Sequence, residues 1–156
     1  METKKDHPGV YFPPPFLYVV IFLFSLLLEK LIDINSFFEL TRTSIASLVF
    51  LIAGFAFMLP ALIKFFQTKN TLIPTKPATS LETSGIYSFS RNPMYLGLLL
   101  IYIGLAFLFG NWWTFILVPI LIILVNKLII IKEERYLERS FGPAYIDYRK
   151  KVRRWI

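Results

Sequence analysis

The chain carries no charged residue from Asn92 to Asn126. Roughly 20 residues cross the hydrocarbon core of a bilayer, so this run is too long for one membrane span. Gly110-Asn111 near its middle is a turn dipeptide. The run therefore reads as a helical hairpin, with arms at about Pro93–Phe109 and Trp112–Ile131. The first arm is short, which implies little tilt or partial shielding by protein. Two more apolar segments precede it, at about Pro15–Leu28 and Thr43–Ile63. The chain has 156 residues, 56% of them hydrophobic, and a mean hydropathy of +0.60. A soluble domain this small cannot hide so much apolar surface. The expected fold is an all-α integral membrane domain of about four transmembrane helices, read as one unit over 1–156.

Charge placement gives these spans a direction. Lys4 and Lys5 precede the first span, and Lys64, Lys69, Lys76 and Arg91 separate the second from the third. Eight more, from Lys132 to Arg154, follow the fourth, against only Lys30 and Arg42 on the other side; Lys127 lies within the last span. By the positive-inside rule both termini and the 64–91 loop are cytoplasmic, at the inner membrane if the cell is bacterial. A net charge of +7 is thereby explained by membrane flanks that meet anionic lipid, with no need for a nucleic acid partner. The chain has no Cys and one His, His7. Thiolate chemistry is excluded, and no cluster has the spacing of metal ligands. The first apolar run lacks a small-residue cleavage site and is expected to be a retained helix.

The two halves differ in character. Residues 1–63 read as scaffold helices, with Pro60 expected to kink or end the second. Tyr11, Phe12, Trp112 and Trp113 suit interfacial belts. Residues 64–156 hold the organised polar groups. The 67–91 loop is long for so small a protein, and Ser84-Gly85 looks like a turn into a short surface segment. Glu133 and Glu134 follow the last span, and Gly142-Pro143 is a helix stop. Tyr145, Tyr148 and Val152 then recur at i, i+3 and i+7, as in a basic amphipathic helix lying on the membrane or over a site.

Thr83-Ser84-Gly85-Ile86-Tyr87, Ser90-Arg91-Asn92-Pro93-Met94-Tyr95-Leu96-Gly97, Glu133-Glu134-Arg135-Tyr136-Leu137, Phe141-Gly142, Tyr145 and Tyr148 occur in this order. The series resembles a membrane methyltransferase superfamily that includes isoprenylcysteine carboxyl methyltransferases and phospholipid N-methyltransferases. The resemblance covers about Thr75 to Val152. It implies an enzyme that moves a methyl group from S-adenosylmethionine to a lipophilic acceptor, a prenylcysteine-like carboxylate, a phospholipid amine or another small lipid. Membrane lipids and the lipophilic or prenylated substrate are then the partners. Cofactor contacts carry over to Thr79, Ser80, Leu81, Glu82, Tyr87, Asn92, Pro93, Met94, Tyr95 and Glu133, with Glu134 as the candidate catalytic group. The chemistry is consistent, since aromatic faces and a carboxylate suit an onium cation. Both cytoplasmic ends of the hairpin would meet at one pocket.

Two positions depart from the prenylcysteine pattern. Asn92 stands where those enzymes have His, which keeps hydrogen bonding but removes a titratable group. Ile129 stands where they bind substrate with Arg, so Lys127 and Asn126 become the candidate substrate contacts. An ionisable residue inside a span is a functional candidate by default. Gly97 and Gly104 are spaced for close helix packing. Two alternatives stand beside this reading: a membrane reductase of the sterol type that uses NADPH, and a non-catalytic membrane factor on the same fold.

Overall fold

The computed structural model describes residues 8–10, 13–34, 40–68 and 80–156. Helix α1 spans Pro14–Leu31. Its prolines sit at the first turn, where the missing N–H leaves no helical bond unmade. Helix α2 spans Leu40–Gln67. It continues past Pro60, which therefore does not end it. In an apolar surround, continuing the helix is the way to satisfy every other backbone group. A short 3₁₀ turn at Gly85–Ser88 leads into α3, Pro93–Phe109. Helix α4, Trp112–Val125, passes through a π turn at Asn126–Ile130 into α5, Ile131–Phe141. The three form one rod, Trp112–Phe141. Helix α6, Pro143–Lys151, closes the chain.

Three helices, Pro14–Leu31, Ser44–Gln67 and Trp112–Phe141, are long and apolar enough to cross a membrane, and α3 is a shorter apolar helix. Their outward faces are hydrophobic stripes. On α2, Ile45, Leu48, Val49, Ile52, Phe55, Leu59, Ile63 and Phe66 are all exposed. Water would penalise such a surface, whereas lipid tails meet it at no cost. The chain is an all-α integral membrane protein.

The hairpin is built from two caps. Gly110 takes the left-handed conformation at φ 62°, and its N–H returns to the last carbonyls of α3. The Asn111 side chain accepts the Thr114 N–H and so starts α4. Asn111 Nδ2 also donates to the Ser25 carbonyl at 3.2 Å, and the Ser25 and Thr114 hydroxyls lie 2.8 Å apart. These bonds fasten α1 to the turn, helped by Trp113 Nε1 donating to the Ile32 carbonyl.

Helix α3 is the interior helix. Tyr95, Leu96, Gly97, Leu99, Tyr102, Gly104 and Ala106 are buried against its neighbours. This shielding answers the shortness expected of the first hairpin arm. Glycine lets α2 approach it. A Cβ on Gly97 would lie 2.7 Å from the Gly54 carbonyl oxygen and 2.8 Å from Met58 Cβ, and one on Gly54 would meet the Gly97 carbonyl at 2.8 Å. Gly104 has more room, its Cβ meeting the flexible Leu51 side chain at 3.0 Å.

Gly97→Ala and Gly54→Ala should each destabilise the folded protein by about 1–3 kcal/mol, the usual cost of forcing volume into a packed interface. Gly104→Ala should cost less. Thermal unfolding in detergent checks that order.

Candidate active site

The site forms where α3 begins and the long rod ends. The 3₁₀ turn enters through Gly85 at φ 63° and turns Tyr87 inward, leaving it 8% exposed. Asn92 precedes Pro93 at the first turn of α3. One turn on, the buried Tyr95 hydroxyl donates to both Glu133 oxygens, at 2.7 and 2.8 Å. This bond joins the start of α3 to the end of the rod. Tyr18 of α1 supports it by donating to the Tyr95 carbonyl at 3.0 Å.

Glu134 points elsewhere, because neighbouring residues on a helix diverge by about 100°. Its Oε1 lies 3.2 Å from Arg91 Nη2 and accepts Arg154 Nε at 3.1 Å. Its Oε2 accepts Arg154 Nη2 at 2.6 Å. Arg91 is thus drawn into the protein, with a side chain 9% exposed, rather than extended toward lipid headgroups. Its Nη1 also donates to the Tyr145 hydroxyl at 3.3 Å.

Helix α6 folds over this group. Tyr145 and Tyr148 are buried, and Tyr148 donates to the Tyr87 carbonyl at 2.6 Å. The apolar face of α6 was open to two placements, on lipid or over a site. It packs on protein, against Ala61, Tyr87 and Leu137. Burial is the main cause that raises the phenol pKa values of Tyr87 and Tyr148. Burial and then the Glu134 charge push Tyr145 up to about 12. All three hydroxyls therefore stay protonated and neutral through the physiological range.

These elements enclose a cavity of about 330 Å³, within the usual range for small-molecule sites of roughly 300–1,000 Å³. Ser80, Leu81, Glu82, Tyr87, Asn92, Pro93, Met94, Tyr95, Glu133 and Glu134 all line it. The Ser80 hydroxyl donates to Glu82 Oε1 at 2.8 Å, and Lys64 of α2 pairs with Glu82 at 3.6 Å. The loop is therefore tied to the helix wall. Thr79, also expected here, falls outside the described residues.

Asn126 and Lys127 are not brought to the cavity. They lie in the π turn, and Lys127 is exposed on the rod's outer face. Ile129 is fully buried in the core. Helix periodicity explains the split, since Glu133 faces α3 and Lys127 emerges on another side of the same rod.

Other lining residues carried no signal in the sequence. Met58, Leu62 and Phe65 of α2 and Pro8, Pro13, Pro14 and Pro15 form much of the apolar wall. The half read as scaffold thus contributes directly to the cavity. Arg154 was also missed, because it lies in a run of surface-like cations with no helical period to mark it. The cavity leaves two polar atoms unserved. Tyr87 Oη and Arg91 Nε are buried with no hydrogen-bond partner among the described residues, and both residues line the cavity. At a cavity wall such atoms have bonding capacity left for a ligand or water.

This mostly apolar cavity is lined by three carboxylates, a guanidinium and five tyrosines, a mixture that suits an amphiphilic molecule. Residues 41–144 match a family described as phospholipid methyltransferase, and the chain belongs to that family. It is 32% identical over 121 residues, 76% of this chain, to a protein-S-isoprenylcysteine O-methyltransferase of Schizosaccharomyces pombe, and spans 50% of that protein's length. It is also 44% identical over 63 residues, 40% of this chain, to an uncharacterized protein of Haemophilus influenzae that it covers in full (100%). No solved structure matches the chain.

Tyr95→Phe removes the hydroxyl that serves the half-buried Glu133 carboxylate. The variant should lose about 1.5–3 kcal/mol of stability, the range for hydrogen bonds to charged groups, read as a lower unfolding midpoint in detergent without added ligand.

Proposed function

We propose that this protein is a membrane methyltransferase that takes S-adenosylmethionine from the cytoplasm and a lipophilic acceptor from the bilayer. The observation that carries this reading is the Tyr95–Glu133 pair at the polar end of the cavity, beside the unpartnered Tyr87 hydroxyl. These groups fit the cofactor's chemistry. A carboxylate held by a phenol, rather than by a cation, keeps its charge available to a cationic ligand, and tyrosine faces favour onium groups. Ser80, Leu81, Glu82, Tyr87, Asn92–Tyr95 and Glu133 would hold the cofactor. When bound, S-adenosylmethionine supplies a methyl group carried on a positively charged sulfur.

The chain's own part is to align and to exclude water. Met58, Leu62, Phe65 and Leu98 supply an apolar wall for the acceptor's tail, and α6 covers the polar end. Alignment of two bound reactants is the larger contribution expected of such a site. Glu134 is engaged by two guanidiniums, so we assign it orientation rather than proton transfer. An acceptor that must lose a proton would find Glu133 as the carboxylate left to take it. A carboxylate acceptor would need no base. The basic flanks support a cytoplasmic face for this end of the bundle and for both termini.

A dinucleotide reading is disfavoured by charge. Among the described residues lining the cavity, Arg91 is the one guanidinium, and it shares Glu134 with Arg154. A dinucleotide with an extra phosphate would want more than one.

Calorimetry with detergent-purified protein tests the proposal. Wild type should bind S-adenosylmethionine and not NADPH, while Glu133→Ala and Tyr95→Ala should weaken S-adenosylmethionine binding at least tenfold. Binding of NADPH alone would sink it, and unchanged affinity in both variants would refute the placement of the cofactor. Transfer of label from the cofactor into a lipid extract would then identify the acceptor class.

A further inference from the structure

The last residues of the chain return to the site. After α6, the Arg153 carbonyl accepts the Arg91 backbone N–H at 3.0 Å. The Arg154 carbonyl accepts Asn92 Nδ2 at 3.0 Å and the Ser90 hydroxyl at 3.4 Å. Three consecutive residues, Ser90, Arg91 and Asn92, are therefore held by the tail just before α3 starts. The Arg154 side chain meanwhile forks onto both oxygens of Glu134. A fork of this kind fixes orientation as well as charge. Trp155 packs against the main core and keeps the tail in place.

Two cations on one carboxylate leave the cluster with a surplus positive charge. Arg154 makes the shorter contacts, at 2.6 and 3.1 Å, and Arg91 the longer one, at 3.2 Å. Arg91 is consequently not fully consumed. It still reaches Tyr145 of the covering helix, and its Nε is left unpartnered at a cavity wall. Without Arg154, Glu134 would have Arg91 as its nearest counter-charge and would draw it away from Tyr145 and the cavity.

Resting on the function proposed above, we infer that Arg154 is a positioning residue: it occupies Glu134 so that Arg91 stays turned to the ligand, and its main chain fastens Ser90 and Asn92. Arg154 touches neither reactant and acts through these neighbours. Its side chain is 37% exposed, so it can be replaced without filling or emptying the core. The tail follows the C-terminal end of α6, while Gly142, at φ 51°, turns the chain into its N-terminal end.

The test is S-adenosylmethionine binding by calorimetry to the full chain in detergent, for Arg154→Ala, Arg154→Lys, Glu134→Gln and the double variant Arg154→Ala/Glu134→Gln. Arg154→Ala should weaken binding at least tenfold with a nearly unchanged unfolding midpoint in the absence of cofactor. Arg154→Lys, which restores charge but not the fork, should recover part of it. In the Glu134→Gln background, Arg154→Ala should add less than a twofold loss, because both changes interrupt one linkage. Tryptic cleavage within 149–153 should also be at least tenfold faster in Arg154→Ala than in wild type. Losses that multiply in the double variant, or wild-type affinity in Arg154→Ala, overturn the inference. So does unchanged cleavage, a readout that needs no cofactor. A wild type that binds no S-adenosylmethionine overturns the function proposed above as well, whereas tight wild-type binding with an indifferent Arg154→Ala overturns this inference alone.

Discussion

The meeting of two glycine backbones sets the geometry of everything at the polar end. Gly54 and Gly97 allow α2 and α3 to touch main chain to main chain, the Gly97 carbonyl oxygen being 2.8 Å from where a Gly54 Cβ would stand. The helices run in opposite directions, so steps along α2 to Met58, Leu62 and Phe65 correspond to steps back along α3 to Met94 and Asn92. That correspondence makes one side of α2 a cavity wall. In lipid there is no hydrophobic force to press helices together, and close packing of small residues takes its place. A side chain at either glycine would separate the helices at their contact and widen the cavity with them.

Much of the architecture was legible because hydrophobic length and turn chemistry are local signals. Gly110-Asn111 announced the hairpin, and the structure shows why: one residue caps α3 in the left-handed conformation and the next caps α4 through its side chain. The arm read as Pro93–Phe109 has those bounds. The passage of α2 through Pro60 was less legible, since the rule for proline derives from water, where a broken helix can be solvated. The π turn left no composition signal at all.

The site was legible to the degree that it lies on one ordered motif. Ser80 to Tyr87, Asn92 to Tyr95 and the Glu133-Glu134 pair converge on one cavity. The motif gave Glu133 to the cofactor and Glu134 to catalysis; the two are adjacent in the chain and face different partners, the Tyr95 hydroxyl and a pair of guanidiniums. The sequence also drew Lys127 and Asn126 into the site, on the ground that polar groups inside a span are costly. Lys127 is exposed five residues before the charged run that begins at Lys132, close enough for a long side chain to reach the interface. The walls contributed by α2 and by Pro8, Pro13, Pro14 and Pro15 could not be read, because an apolar residue facing a cavity and one facing lipid look alike in a sequence.

The π turn at Asn126–Ile130 has a consequence for how such a site can change. A π turn accommodates one residue more than an α-helix would, and such turns gather at functional places. Everything beyond it is rotated by about 100° relative to an uninterrupted helix. Removing a single residue here would leave the span nearly as long and as apolar as before. Both acids, however, would swing to a different face of the rod. The bilayer reads only the length of this helix, while the cavity reads its phase. Insertion or loss of one residue is thus a route by which the same membrane scaffold can gain or abandon a polar site without disturbing its residence in lipid.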